Sequence, residues 1–366
     1  MKTWSISLFI LSLLILITSS DTSARRTHLT AEQLDRLQNI QTILTTVITL
    51  TEEGRGAADS IQNTVTQRLR EIGYTVTTDP QQPHDVEFKV KCEERKTWTG
   101  TTPEGSDAEL TDAPARLWKG PACLFTYSLD GKDLGWRKEV RTSFEDTIAA
   151  AQTEGKTKSG QYALEQLAQR VAVYDFPVLI SAEWGQTQRL LKLVQEASTH
   201  RLRKLKILSV LHDLHSEEAL PELTEIMKDK DLAQEAIVAL AGVGIDSLPI
   251  LIDLFETTKQ LDIQTAAAKA LGDLAGSTGD PRCIPPLLQY LNQALPRIKT
   301  SEDINFPVLT AVVWSLGKLR DDNSMAPMAE LNQRVWLIYD KSPEMAELRE
   351  ATSWTYKQID LDGHVS

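Results

Sequence analysis

The chain of 366 residues has only three cysteines (Cys92, Cys123 and Cys283) and six histidines. It contains no Cys-x-x-Cys pair, no HExxH, no GxSxG and no phosphate-binding glycine loop. The spacings that announce a zinc ribbon, a metalloprotease, a nucleophile elbow or a nucleotide cradle are therefore missing. Nothing in the motifs supports a catalytic residue, a cofactor or a metal, and the expectation is a protein that is not an enzyme. Serine-rich and glutamine-rich tracts are absent, while 41% hydrophobic residues suit a folded chain. Basic residues are outnumbered 39 to 51, a net charge of −12, which disfavours general binding to nucleic-acid phosphates. No Asn-x-Ser/Thr sequon occurs, which favours a bacterial envelope setting over a eukaryotic secretory one.

Long hydrophobic runs are also scarce, with one exception at the start. Lys2 precedes an apolar stretch from Ile6 to Ile17, interrupted only by Ser7 and Ser12, and then Thr22-Ser23-Ala24. A spanning helix needs about 20 apolar residues, so a dozen followed by a small-x-small pattern predicts a cleaved signal peptide over residues 1–24. An uncleaved membrane anchor is the alternative. With cleavage, the expected location is periplasmic or secreted, with no stable membrane span.

Residues 25–186 change period along their length. Thr30 and Gln33 form a capping-box pattern, and Leu34, Leu37, Ile40, Leu44 and Val47 follow at helical spacing. Ile61, Val65, Leu69 and Ile72 repeat the pattern before Gly73, which predicts a helical hairpin. The period then falls to two: Val86, Phe88, Val90 and Cys92 alternate with charged residues, and Cys123, Phe125, Tyr127 and Leu129 run into Asp130-Gly131. An Asp-Gly pair before Leu134, Trp136 and Val140 is a strong turn signal for an antiparallel sheet. Cys92 and Cys123 lie on the apolar faces of their strands, so pairing would allow a disulfide; two buried thiols are the alternative. Between them, Lys96 to Pro121 reads as a long loop, with Trp98 and Trp118 either forming a recognition surface or folding back on the sheet. Helices resume after Ser143, giving an α+β domain with its boundary near Gln186.

Residues 187–366 carry the strongest signal. Leu211, Leu240, Leu271 and Leu316 occupy one place in four segments, and Gly242, Gly272 and Gly317 recur just after three of them. Leu220-Pro221, Leu248-Pro249 and Ile284-Pro285 mark a second recurring place, with Met325-Ala326-Pro327 a weaker copy. Proline belongs in the first turn of a helix, so each marks a helix start. The pattern resembles HEAT repeats, particularly the short bacterial kind also found in phycobilin lyases, over about Thr187–Leu361. The resemblance implies an all-α superhelical solenoid after the α+β domain, used as a binding scaffold, and carries over no catalytic residue. Paired helices cannot bury both faces alone and must stack, leaving an inner surface for a partner. The expected partner is another protein, with an assembly or cofactor-attachment factor as the alternative role.

Several residues stand out beside plainer readings. Trp314, Trp336 and Trp354 fall in successive predicted helices, as an aromatic groove or as core and cap packing. Arg201, Arg203, Lys204 and Lys206 could steer an acidic partner or phospholipid headgroups, or form a solvated helix face. The Ala294–Phe306 insertion is either a partner contact or an inert loop. His212 and His215 are too few for a zinc site, and Asp360–Gly363 is too short for a calcium loop. Cys283 is either a reactive thiol near a helix start or a buried small residue.

Overall fold

The computed structural model describes residues 29–100 and 116–359. The expected signal peptide therefore lies outside the described residues. The first half runs α1 (Ala31–Gln38), β1 (Thr42–Thr51), β2 (Gly54–Arg55), α2 (Asp59–Glu71), β3 (Thr75–Thr77), β4 (Val86–Gly100), β5 (Arg116–Leu129), β6 (Lys132–Arg141), α3 (Thr147–Thr153), α4 (Ser159–Val173) and α5 (Phe176–Glu183). Thr30 and Gln33 close the capping box of α1 as expected, but the helix stops at Gln38. After Asn39, Ile40 and Gln41, the ten residues TILTTVITLT are mostly β-branched and form a strand instead. The expected helical hairpin is thus replaced by a helix, a strand pair and a second helix.

The sheet has the order β2-β1-β4-β5-β6, with β3 also paired to β1. It is mixed and not wholly antiparallel, because β1 runs parallel to both β3 and β4. The alternation read from the sequence holds where it was strongest: Val86, Phe88, Val90, Phe125, Tyr127, Leu134 and Trp136 all face the core. Phe176 of α5 stacks on Phe88 at 5.6 Å and on Phe125 at 5.0 Å, closing that face. Asp130 and Gly131 take the positive φ values, 51° and 74°, that their two-residue turn demands. Cys92 and Cys123 are opposite one another on β4 and β5 and form a disulfide.

The strands also reach into the segment expected to be a loop. β4 extends to Gly100 and β5 starts at Arg116, with Trp98 and Trp118 as register partners. The side chains of both tryptophans, and residues 101–115, lie outside the described set.

Ten helices follow: α6 (Thr187–Gln195), α7 (Arg201–Leu214), α8 (Leu220–Ile226), α9 (Ala233–Val243), α10 (Leu248–Thr257), α11 (Leu261–Thr278), α12 (Ile284–Ala294), α13 (Phe306–Leu319), α14 (Met325–Leu337) and α15 (Pro343–Ile359). They make five pairs. Each of α8, α10, α12 and α14 is entered through a short 3₁₀ turn, and Pro221, Pro249 and Pro285 sit in the first turns of the first three. The second helices α7, α9, α11, α13 and α15 lie closely against one another in order, while the first helices touch their row neighbours sparsely. A stack with one tight row and one splayed row curves toward the tight one, which makes α7–α9–α11–α13–α15 the inner row.

Small residues set that tightness. A Cβ built on Gly242 would stand 2.0 Å from the carbonyl oxygen of His212, and one on Gly272 would meet Ser315 Oγ at 2.3 Å. Gly317 likewise leaves room for Trp354 and Thr355. Where the helices come this close, hydroxyls bridge them: Ser315 Oγ donates to Ala268 O and Thr355 Oγ1 to Val313 O, both at 2.8 Å.

The two halves are joined by buried polar contacts. Gln186, where the composition placed the boundary, donates through Nε2 to Leu37 O and Ile40 O at 3.1 Å. Its Oε1 accepts from Tyr74 Oη and Arg189 Nε at 2.7 Å. One apolar cluster runs from Leu37 through to Ile359.

Candidate partner-binding groove

The inner row exposes a groove of about 300 Å³ lined by α7, α9 and α11. Its apolar floor is Leu208, Val238 and Ala266; Ser209, Gln234 and Thr265 supply hydroxyl and amide groups at the sides. Asp213, Glu235 and Lys269 put both signs of charge at its margins. His212 Nδ1 lies 2.9 Å from Asp213 Oδ1, and its Nε2 lies 4.0 Å from Asp273 on α11. Lys318 of α13 pairs with Asp273, so a line of charges crosses three inner helices. An apolar floor flanked by short polar groups suits an extended protein segment, whose side chains need the floor and whose backbone needs hydrogen-bonding partners.

Of these residues only His212 was singled out from the sequence, although a signal for the others existed. Ser209, Val238, Lys269 and Trp314 each stand two residues before a landmark leucine. Gln234, Thr265 and Thr310 each stand six before, and Glu235, Ala266 and Ala311 five before. The repeat that locates the leucines thus also indexes the groove, and Trp314 continues its line onto α13. Trp314 is half-buried with its ring 5.0 Å from that of Trp354 on α15. Trp336 is not part of this pair: it lies on α14 in the outer row, 60% exposed, with the Arg349 guanidinium over its ring.

The basic cluster at the start of α7 is mostly engaged within the chain. Arg203 contacts Asp175 at 3.2 Å and Glu71 at 3.5 Å, and Arg68 reaches the same two carboxylates. Burial pushes the Asp175 carboxyl up, against the opposing pull of Arg68. Arg201 donates to Asp231 O at 3.4 Å, and Lys204 is half-buried along α7. Arg203 therefore ties the α+β half to the array. Together with Arg68 it lines a cleft of about 750 Å³ between them.

Cys283 is buried, and burial raises its thiol to about 11, opposite to activation at a helix start. The ring of His215 contacts Gly242 O at 3.2 Å, and no group of metal-ligating side chains is found among the described residues. Residues 360–363 lie outside the described set.

A family model described as HEAT repeats matches residues 220–301. No curated protein matches the chain. Among solved structures, the chain is similar to a designed armadillo repeat protein in complex with a (KR)4 peptide, at 16% identity and a TM-score of 0.31, covering 58% of this chain and 99% of that one. The family match spans α8 to the insertion before α13; the leucine landmark continues before it at Leu211 and after it at Leu316, and the proline landmark continues after it at Pro327. The C-terminal half of this protein is a HEAT-like repeat array.

Proposed function

We propose that this protein is an exported, non-catalytic scaffold that holds a segment of another protein along the inner row of its array. The observation that carries the reading is the groove over α7, α9 and α11, whose lining recurs in register from repeat to repeat. A surface built by repetition presents the same floor and side groups at successive steps, which matches the regular rise of an extended chain. Trp314, at the corresponding place on α13, adds an aromatic anchor. The α+β half, fastened through Gln186 and Arg203, orients the array or adds a second contact. No described helix is long and apolar enough to cross a membrane.

The test is affinity capture from an envelope extract with the wild-type chain, a Val238→Glu/Lys269→Glu variant, and Trp336→Ala as an outer-row control. A specific partner should be retained by wild type and the control and lost by the groove variant. Equal retention by the groove variant would remove the inner row from the argument, and recovery of no specific partner would remove the scaffold. N-terminal sequencing of the exported protein should show a start after Ser20 or Ala24.

A further inference from the structure

Val238 on α9, Lys269 on α11 and Trp314 on α13 each stand two residues before a landmark leucine, so they form one line across three successive inner helices. Val238 and Trp314 are half-buried, and Lys269 is exposed. One turn further along α11, Asp273 is already paired with Lys318 and faces His212. Lys269 has no ion pair among the described residues, and it lines the groove.

Packed helices sit about 8–10 Å apart, so a segment that meets every repeat must present a side chain at about that interval. A β-strand places same-face side chains two residues, about 6.6–6.8 Å, apart, and its third residue points away from the groove. A polyproline II helix repeats after three residues of about 3.1 Å each, about 9.3 Å in all, and brings the same face down each time. The chemistry of the walls agrees. They are helices, whose backbone groups are spent within themselves, so no open strand edge awaits a ligand's N–H groups. Proline has no N–H to leave unpaired, and the Ser209 hydroxyl and Gln234 amide can donate to ligand carbonyls. Trp314 adds the kind of aromatic surface on which such segments dock.

We propose that the inner row binds a proline-rich segment in the polyproline II conformation and reads it at every third residue. An apolar residue lies on Val238, a carboxylate on Lys269 and a second apolar residue on Trp314. The assignment rests on the inner row being the partner site and gives that partner its chemistry. With apolar residues at both ends, the motif fits in either chain direction. A basic residue at its centre would meet Lys269 as a like charge.

Fluorescence polarisation of fluorescein-labelled peptides against the full chain tests this directly. Leu-Pro-Pro-Glu-Pro-Pro-Leu should saturate one site. Thr-Leu-Thr-Glu-Thr-Leu-Thr carries the same contact residues at every second place and should bind at least about tenfold more weakly. Lys269→Glu should weaken the proline peptide by about tenfold or more and bind its lysine analogue, Leu-Pro-Pro-Lys-Pro-Pro-Leu, better by as much. Lys269 is exposed, so circular dichroism should show that variant folded. Trp336→Ala, on the outer row, should leave all three affinities unchanged. Tighter binding of the alternating peptide would overturn the conformation, and a proline peptide indifferent to Lys269→Glu would overturn the register. No saturable binding of either glutamate peptide would overturn the proposal. The inner row as partner site fails by a different result, equal capture of a native partner by the Val238→Glu/Lys269→Glu variant.

Discussion

At the residue scale, this structure turns on where a side chain can be afforded and where it cannot. Gly242 and Gly276 are both helical-region glycines, but only the first faces a neighbouring backbone. A Cβ at 242 would collide with the His212 carbonyl, whereas nothing lies within 4 Å of one at 276. Gly242→Ala should therefore cost about 1–3 kcal/mol through overpacking. Gly276→Ala should be neutral or stabilise by up to about 1 kcal/mol through helix propensity. Chemical denaturation of the pair separates the two effects, and equal midpoints would refute the close-approach argument. Cys283 makes a second residue-scale prediction. Its thiol rises from 9.0 to about 11, so the folded chain keeps a proton that the unfolded chain gives up between those values. The stability it supplies is complete below about pH 9 and falls as the pH climbs toward 11. Cys283→Ala should flatten that part of the pH–stability curve, and a thiol reagent should label the wild type only in denaturant.

At the scale of elements, β4 and β5 are tied by a disulfide that closes a sequence separation of 31 residues. In the chain-entropy account, a loop of that length adds about 3–4 kcal/mol. A Cys92→Ala/Cys123→Ala variant should lose about that much, read from denaturant midpoints with wild type under oxidising conditions. A loss below about 1 kcal/mol would mean that the remaining sheet already restricts the unfolded chain there. The same scale shows what could be read in advance. The β5–β6 hairpin was legible because Asp130-Gly131 is a local signal and both flanking strands bury one face. β1 was not. Ile43, Leu44 and Thr45 are buried in succession, so both of its faces are covered there and it shows no period of two. Leu34, Leu37, Ile40, Leu44 and Val47 happened to fit a helical spacing, and only parallel pairing with β4, where Ile43 lies opposite Val86, resolved the choice. For the candidate groove, the leucine landmarks already indexed its lining residues. Which of them stand in the open depended on which row packs tightly.

At the scale of the whole molecule, the halves share one core. Buried Gln186 and Tyr74 and half-buried Arg189 join them with hydrogen bonds, and Arg68, Asp175, Arg203 and Glu71 join them with charge. Repeat arrays can unfold piecewise, since each unit contacts only its neighbours. Here the first inner helix, α7, is fastened to the sheet domain. Helical signal in the far ultraviolet and aromatic signal from Trp136 and Trp184 should therefore disappear together on denaturation. Separate transitions would mean that the junction is weaker than its contacts imply.

The sequence by itself determined the features that rest on local spacing: the capped first helix, the Asp-Gly hairpin and the stacked pairs marked by leucine, glycine and proline. A period or a turn is written in neighbouring residues, so it survives without knowledge of the fold. The tertiary structure alone decided the strand at β1, the mixed sheet, the engagement of Arg203 and the placement of Trp314 and Trp336 on opposite rows. Each of those depends on which distant segments come together, and burial on both faces or charge pairing across a junction leaves no period in the chain to read.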